Sequence, residues 1–277
     1  SEILIIDGSI DSKTASIFKN QVFEHLHYYQ VDATNRGLTK QRNFGISKVS
    51  SSSSIICFLD DDTLLEPDYF SQLLSTYIAF PDCLGVGGFI TNETPWDYVG
   101  PDYLPSDSEY CFDGWKRQEP SRFIIRKKLG LDCNLPPGFI PEFSHGRSVG
   151  FLPPSGKTYE VQQFMGGVSS FKKEVFEVLQ FSTYFEGYGL YEDADFTSRV
   201  STIGRLYVNT SARLGHFHDD SGRPNKYHYG KMVVRNGWYV WRVYKKNPGL
   251  LNRFKWNAIS IVLIGIRFSN IDRKSTR

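Results

Sequence analysis

Short apolar runs alternate with amphipathic stretches through the first part of the chain. The runs at residues 3–6 and 55–59 are apolar throughout and predict strands buried on both faces, as in the middle of a parallel sheet. Between them, Phe18, Val22 and Leu26 recur at four-residue spacing and predict a helix that packs on that sheet.

The same alternation continues as far as residue 90. We expect a strand at residues 28–31, a helix holding Arg42, a helix opened by Pro67 and a glycine-broken strand at residues 84–90. Strands and helices in alternation predict an α/β fold with a mixed, mostly parallel, Rossmann-like sheet joined by right-handed crossovers.

Residues 92–160 show neither the hydrophobic periodicity of a helix nor that of a strand, and they are dense in Pro, Gly, Trp and Tyr. A long irregular stretch inside a compact domain is usually a functional loop or a flexible insertion, so we expect an irregular insertion near the site. Order returns at residues 161–171, where Gly166 and Gly167 permit close approach of the backbone to a ligand or a neighbouring strand.

Charge is distributed unevenly along the chain, although the net charge is only +2. Residues 223–277 hold thirteen Lys and Arg against one acid, and the preceding residues carry a net charge of −10. The sequence predicts an acidic catalytic body at residues 1–222 and a basic, aromatic helical extension at residues 223–277. Nucleic acid is a poor partner, because the body is acidic and carries no recognition motif.

The four cysteines show no CxxC spacing, and Cys57 lies inside a predicted buried strand. A disulfide framework or a zinc site is therefore not expected, and a reducing, cytoplasmic location fits best.

Three carboxylates, Asp60, Asp61 and Asp62, directly follow the apolar run at residues 55–59. Open α/β sheets bind their ligands outside the carboxyl ends of their strands, and adjacent acids usually persist beside a cation or strong donors. The triplet is consistent with a metal site, and also with a solvated turn that leads into the helix opened by Pro67.

A second acidic cluster opens a helix whose apolar stripe contains Phe196 and Val200. Glu192, Asp193 and Asp195 occupy its first turn, where the helix dipole favours carboxylates and keeps a base ready at neutral pH. For Asp195 we favour helix capping, and for Asp193 catalysis.

His216 and His218 point to the same face of an extended segment. Such a pair is more often structural than metal-binding, but beside an Asp-rich strand end imidazole joins carboxylates readily around Mn²⁺.

Taken in order, these elements resemble the inverting, GT-A fold glycosyltransferases of family 2. Ile5-Ile6-Asp7-Gly8-Ser9-Ile10-Asp11 is similar to the family's IIVVDDGSxD strand, and the segment at residues 35–46 to its NxGLxxxRNxGI segment. The DxD strand corresponds to residues 58–62, and the GGxxxfrre segment to residues 166–174. The Glu192-Asp193 pair and a downstream His complete the series.

The resemblance implies transfer of a sugar with inversion from a UDP- or GDP-linked donor to a saccharide or lipid-linked acceptor, assisted by Mn²⁺ or Mg²⁺. It implies that Asp193 deprotonates the acceptor hydroxyl while Glu192 orients the acceptor. The nucleotide-sugar-binding residues implied are Asp7, Arg42, Asp60, Asp61, Gly167 and Arg223. The metal ligands implied are Asp62, Asp60 and His216, with His218 as the other candidate.

Family members begin with a further strand of the VSVIIPTYN type, and nothing like it precedes Ser1. Either the chain is a piece of a longer protein or its nucleotide pocket lacks this first strand, and we expect weakened nucleotide binding. A nucleotidyltransferase would need a Gly-rich basic signature near the first strand, which residues 8–11 do not supply. The alternative outside the enzymes is a non-catalytic saccharide-binding or scaffold subunit.

The basic extension contains an apolar run at residues 259–268, shorter than the roughly twenty residues that span a bilayer. With its flanking Lys and Arg it could lie in the interface of an anionic membrane, on the inner face. The alternative is a terminal helix packed on the domain.

Overall fold

The computed structural model describes residues 1–19, 23–185, 187–217 and 225–274, with side chains as far as residue 269. Its first unit is a parallel pair of strands, β1 (Ile3–Asp7) and β2 (Leu26–Gln30), with helix α1 (Lys13–Lys19) between them in sequence and α2 (Leu38–Ile46) after them. The expected strand–helix–strand unit is therefore confirmed. Leu26, predicted on the first helix, instead begins β2, and Phe18 stacks on Tyr28 of that strand.

A mixed sheet of six strands forms the centre of the molecule. Its strands are β3 (Ile55–Leu59), β4 (Thr63–Leu65), β5 (Cys83–Ile90), β9 (Thr158–Val161), β10 (Val168–Lys172) and β11 (Arg205–His216). They lie in the order β3-β10-β5-β11-β4, and β9 also pairs with β11. The β5–β11 pair is parallel and the other pairs of this sheet are antiparallel. The predicted α/β class with a mixed sheet is confirmed, but parallel pairing is the minority in this sheet, with one parallel pair among the five described.

The position of β3 differs from the prediction. The strand lies at an end of the six-stranded path and pairs through β10 alone, so only Ile56 of its five residues is fully buried. An apolar run of this length predicts a strand but not the number of its neighbours, because pairing partners come from distant sequence. Phe58 still packs inward, against Phe171, Phe176 and Phe181.

The stretch at residues 92–160 has more regular structure than expected. It contains an antiparallel sheet in the order β6-β8-β7 and a helix α4, with bounds β6 (Asp97–Tyr98), β7 (Glu109–Phe112), β8 (Trp115–Gln118) and α4 (Ser121–Lys128). A 3-10 turn at Val149–Phe151 follows. Buried Arg147 ties the unit together by bonding Glu119 and Asp132 and stacking on Phe123, contacts between distant residues that no periodicity reveals.

Aromatic rings fill the core on one face of the six-stranded sheet. Helix α3 (Tyr69–Ala79) covers the other face, while α5 (Val175–Val178) and α6 (Glu192–Val200) meet the aromatic face. Phe196 of α6 is fully buried and stacks on Phe181 with ring centroids 4.1 Å apart. This packing fixes α6 against the sheet and thereby positions the acids of its first turn.

Two helices, α7 (Lys226–Tyr244) and α8 (Leu250–Lys274), form the C-terminal extension. Trp241 of α7 and Trp256 of α8 stack at 5.0 Å, and Ile259 packs with Leu131 and Phe143. Among the described helices, none combines the length and apolar character needed to cross a membrane. The expected boundary at residues 222/223 falls outside the described residues and stays a prediction.

Candidate active site

The acidic strand end and His216 meet because β4 folds back onto the end of β11. Asp60 donates its N–H to the Gly167 carbonyl at 3.0 Å, which fixes the point where β3 ends. His216 lies level with Thr63 in the β4–β11 ladder, and Phe217 N–H donates to the Asp62 carbonyl at 2.8 Å. The imidazole is thereby held against the Asp62 side chain, with Nε2 3.0 Å from Oδ1.

Asp60, Asp62 and His216 form a group that could hold a metal ion. Each offers one ligand atom, and these atoms lie within 4.8 Å of one another. Asp62 Oδ1 is buried, and apart from the His216 imidazole it has no hydrogen-bond partner among the residues that the structure describes, so it keeps a lone pair to offer a cation. Two carboxylates and an imidazole are a donor set suited to Mn²⁺, and the residues therefore fit the expected Mn²⁺ or Mg²⁺.

Glu93 also belongs to this site, although no sequence pattern pointed to it. Its Oε1 lies 3.2 Å from His216 Nδ1, opposite the nitrogen that faces Asp62. A carboxylate at the second nitrogen fixes the orientation of a ligand imidazole and strengthens it as a donor. Glu93 lies in the stretch without periodicity, so only the fold brings it to His216.

Arg42 connects the two acidic clusters. It is 8% exposed, and its Nη1 lies 2.6 Å from Glu192 Oε1 while its Nη2 lies 3.7 Å from Asp60 Oδ1. The guanidinium also lies over the Phe181 ring at 5.2 Å. A planar guanidinium suits this position, because it can face two carboxylates and stack on a ring at once.

Gly166 and Gly167 leave room for these side chains. A Cβ on Gly167 would lie 2.0 Å from Asp60 Oδ2, and one on Gly166 would lie 2.6 Å from Arg42 Nη1. The close approach predicted from the sequence is therefore to side chains of the candidate site, and any larger residue here would displace them.

The first turn of α6 presents Glu192 and Asp193 beside the same cleft. Burial raises the pKa of Glu192 to about 8 against the opposing charge of Arg42. Burial also raises the pKa of Asp193, although backbone N–H groups of Ala194 and Gly166 donate to its carboxylate. A carboxylate whose pKa is raised toward neutrality is suited to accept a proton.

Asp195 has a different role from the one expected. Its carboxylate binds Arg199 at 2.7 Å, one turn along the helix, and makes no capping bond. The residue at the N-cap position is Tyr191, in the left-handed conformation with φ 72°. Capping by Asp195 is therefore wrong, because the residue already lies within the first turn and faces the core.

A cleft of about 780 Å³ joins the α2 side of the site to the α6 side. Its lining includes Asp60, Glu192 and Asp193, brought together as expected. The rest of the lining is Arg36, Gly37, Leu38, Gln41 and residues 187–191. Arg36 was not assigned a role from the sequence, and its presence in a motif segment at residues 35–38 was the available signal.

The loop at residues 187–191 is held from outside the cleft by the C-terminal extension and residue 145. Tyr191 stacks on His145 at 5.0 Å, and His145 meets Trp256 of α8 edge-on at 5.4 Å. Asn236 of α7 donates to the Leu190 carbonyl at 2.8 Å. These contacts fix the chain immediately before Glu192.

Other predicted site residues lie elsewhere. Asp7 accepts hydrogen bonds from Tyr28 OH at 2.5 Å and from Ser9, and these bonds lower its pKa although burial opposes them. It lies at the end of β1 and is not part of the cleft lining; Asp61 is exposed. Their binding roles stay predictions. His218 and Arg223 lie outside the described residues.

The family comparison agrees with this geometry. Residues 1–133 match the sequence model of Glycosyl transferase family 2. A segment of 73 residues is 30% identical to glucosyl-dolichyl phosphate glucuronosyltransferase of Haloferax volcanii, and covers 26% of this chain and 22% of that enzyme. The match thus spans about a fifth of the relative's length.

Two solved structures show a weaker likeness. GalNAc-T7 with UDP, GalNAc and Mn²⁺ has a TM-score of 0.49 at 15% identity, over 88% of this chain and 44% of that one. Glucosyl-3-phosphoglycerate synthase from Mycobacterium tuberculosis, with Mn²⁺, UDP-glucose and phosphoglyceric acid, has a TM-score of 0.45 at 13% identity, over 90% and 70%. The similarity to the family lies in the sequence of residues 1–133. Over residues 1–133 the chain is therefore similar to glycosyl transferase family 2.

Proposed function

We propose that this protein transfers a sugar, with inversion, from a nucleotide-diphosphate donor to a hydroxyl acceptor. One observation carries the proposal: Arg42 links Asp60 of the metal-ligand group to Glu192, which adjoins Asp193 in the same cleft. The family match over residues 1–133 supports it.

The chemistry divides between the two sides of the cleft. Asp193 accepts the proton of the acceptor hydroxyl as its oxygen bonds to the anomeric carbon, and the diphosphate departs from the opposite face. Glu192, held by Arg42, orients the acceptor. Asp60, Asp62 and His216 would hold Mn²⁺ or Mg²⁺, which when bound neutralises charge on the departing diphosphate. Arg36 lines the cleft and donates to the anionic donor.

The acceptor we propose is a lipid-linked saccharide, and the donor is UDP- or GDP-linked. The printed name of the Haloferax volcanii relative, a glucosyl-dolichyl phosphate glucuronosyltransferase, supports an acceptor of this kind. Such an acceptor places the enzyme in the synthesis of surface polysaccharide or glycolipid, at the inner face of a membrane.

Helix α8 supports the membrane location. Exposed apolar side chains form a stripe along one face of the helix, at i, i+4, i+11, i+14 and i+18: Leu250, Phe254, Ile261, Ile264 and Phe268. Arg253 and Arg267 flank it. An apolar stripe bordered by cations is the pattern of a helix that lies in a membrane interface.

Thermal unfolding with UDP and GDP, with and without Mn²⁺, tests the transfer proposal. Wild-type protein should be stabilised by a nucleotide only when Mn²⁺ is present, and Asp62→Asn should lose that stabilisation. Asp68→Asn, at an exposed acid outside the cleft, is the control and should keep it. If no nucleotide stabilises the wild type, a non-catalytic saccharide-binding subunit becomes the better interpretation.

Vesicle sedimentation tests the membrane location. The triple variant Phe254→Ser, Ile261→Ser and Phe268→Ser should bind vesicles of phosphatidylcholine and phosphatidylglycerol more weakly than the wild type. A matched triple at exposed apolar residues elsewhere, Ile78→Ser, Leu104→Ser and Val178→Ser, should bind normally. Equal loss in both triples would contradict a role for the stripe.

A further inference from the structure

A groove between α7 and α8 lies outside the cleft and has no part in the chemistry above. Its volume is about 580 Å³, and aromatic side chains form much of its wall. Trp238 is 39% exposed there, while Trp256 at its base is buried. The remaining lining residues are Tyr184, Val234, Arg235, Tyr239, Arg242, Asn257 and Ser260.

Two arginines line this groove, and among the residues that the structure describes neither has an acidic partner. Arg235 donates from Nε to Tyr184 OH at 2.9 Å and lies over that ring at 4.9 Å. Arg242 lies over Trp238 and Trp241, and its Nη1 is buried without a hydrogen-bond partner. Within the described ranges neither guanidinium pairs with a carboxylate, and residues 225–269 contain no Asp or Glu.

Both arginines line the groove and neither pairs with a carboxylate among the described residues, so an anion that enters the groove would supply acceptors for their groove-facing donors. Guanidinium groups match the oxygens of a phosphate with paired hydrogen bonds. Ser260 and Asn257, both lining residues, add neutral donors beside them. The groove is therefore complementary to a phosphate.

The groove opens beside the apolar stripe of α8. Asn257 lies between Phe254 and Ile261 along that stripe, at three and four residues from them, so the groove borders the stripe at Asn257. A molecule bound through its phosphate in the groove would have apolar surface next to it. This arrangement favours an amphiphile over a free phosphate.

We propose that the groove binds the phosphate headgroup of an anionic membrane lipid while the stripe of α8 lies in the same leaflet. The inference deepens the proposed membrane location and rests on it. It adds a specific headgroup site to the general attraction between a basic surface and an anionic membrane.

Vesicle binding by the full chain tests the site with two charge-matched variants. Arg235→Gln with Arg242→Gln removes two charges from the groove, and Lys231→Gln with Lys246→Gln removes two from exposed positions outside it. On vesicles of phosphatidylcholine and phosphatidylglycerol, the groove pair should weaken binding at least about tenfold more than the control pair. Equal weakening would overturn the proposal, because it would show attraction by charge alone.

Two further measurements keep the result decisive. Arg235→Lys with Arg242→Lys keeps the charge but loses the paired hydrogen bonds, so it too should bind more weakly than the control pair, and normal binding would contradict the site. Glycerol 3-phosphate without vesicles should stabilise the wild type little; strong stabilisation would point to a soluble phosphate and overturn the lipid assignment.

The two proposals fail in distinguishable ways. Nucleotide stabilisation with Mn²⁺, measured on the groove pair, should equal that of the wild type, because neither arginine lines the cleft. Equal weakening of vesicle binding in the groove pair and the control pair, with normal nucleotide stabilisation, overturns the groove proposal alone. Weaker vesicle binding by the groove pair than by the control pair, with no nucleotide stabilisation of the wild type, overturns the transfer proposal and supports the groove.

Discussion

At the scale of single residues, the site requires a glycine at position 167, because no side chain fits there. Gly167 faces the Asp60 carboxylate so closely that a methyl group there would lie 2.0 Å from Oδ2. Asp60 is the residue that takes part both in the metal-ligand group and in the contact with Arg42. Moving this one carboxylate would therefore disturb both sides of the cleft.

Gly167→Ala should lower transfer activity on the order of 100-fold, because a displacement of about 1 Å in a reacting site has this effect. Mn²⁺-dependent stabilisation by nucleotide should fall with it. Steady-state kinetics and thermal unfolding measure the two effects. Gly249→Ala is the control, since a Cβ there meets nothing within 4 Å. Normal Mn²⁺ dependence in Gly167→Ala would show that Asp60 is not a ligand.

Asp193 and Glu192 are adjacent but should differ in kinetic effect. Asp193→Asn removes the proposed base and should lower kcat on the order of 10²- to 10⁴-fold with little change in donor binding. Glu192→Gln keeps the shape but weakens the pair with Arg42, which lies 2.6 Å away. Glu192→Gln should therefore raise the KM for the acceptor in addition to lowering kcat. A kcat in Asp193→Asn close to that of the wild type would remove Asp193 from the base role.

At the scale of elements, the start of α6 is held by a stack of rings that comes from other parts of the chain. Burial lowers the pKa of His145 to about 4, with Arg126 and Arg122 contributing. The folded protein therefore favours the neutral ring between Tyr191 and Trp256. The unfolded chain, with an ordinary pKa of 6.5, takes up the proton more readily.

This difference predicts a loss of stability in mild acid. His145 contributes stability above pH 6.5, and the contribution is lost as the pH falls from 6.5 toward 4, by up to about 2–3 kcal/mol. Denaturant unfolding across this range should show a steeper fall in the wild type than in His145→Phe. His27→Gln, at an exposed histidine, should keep the wild-type slope. Equal slopes in wild type and His145→Phe would mean that His145 titrates normally.

The local sequence pattern predicted the type of each element more reliably than it predicted the position of that element in the fold. The run at residues 55–59 is a strand, but its place at the end of the sheet depends on β10, more than a hundred residues later. Leu26 fits a helical spacing and yet pairs with Ile3 in a strand. Spacing along the chain records a periodicity, whereas pairing partners are chosen by tertiary contacts.

The residues of the candidate site also differ in whether the sequence pattern predicted them. Asp60, Asp62, Glu192, Asp193 and His216 were predicted because each follows a strand or opens a helix in a recognisable motif. Glu93 and His145 were not, because they act on His216 and Tyr191 across distances of many residues in an aperiodic stretch. Residues such as Glu93 and His145, which contact other site residues, cannot be predicted from the local sequence pattern, since only the folded chain brings them into contact.

At the scale of the whole molecule, the C-terminal extension packs against the rest of the chain in several places. Trp241 donates from Nε1 to the Glu142 carbonyl at 3.1 Å, and Trp256 is 4% exposed beneath it. Ile259 completes a cluster with Leu131 and Phe143. These contacts join α7 and α8 to residues 131–145 and, through His145, to the loop before Glu192.

We therefore expect the extension to unfold together with the body. Trp256→Ala opens a cavity between two helices and the His145 ring, and should lower the free energy of unfolding by about 3–5 kcal/mol. Calorimetry should still show one transition, shifted to lower temperature, and the Mn²⁺-dependent nucleotide effect should weaken because the loop at residues 187–191 loses its support. Leu251→Ala, at an exposed position of the same helix, should leave the transition temperature nearly unchanged. A separate low-temperature transition in Trp256→Ala, with nucleotide binding intact, would instead mean that the extension is an independent unit.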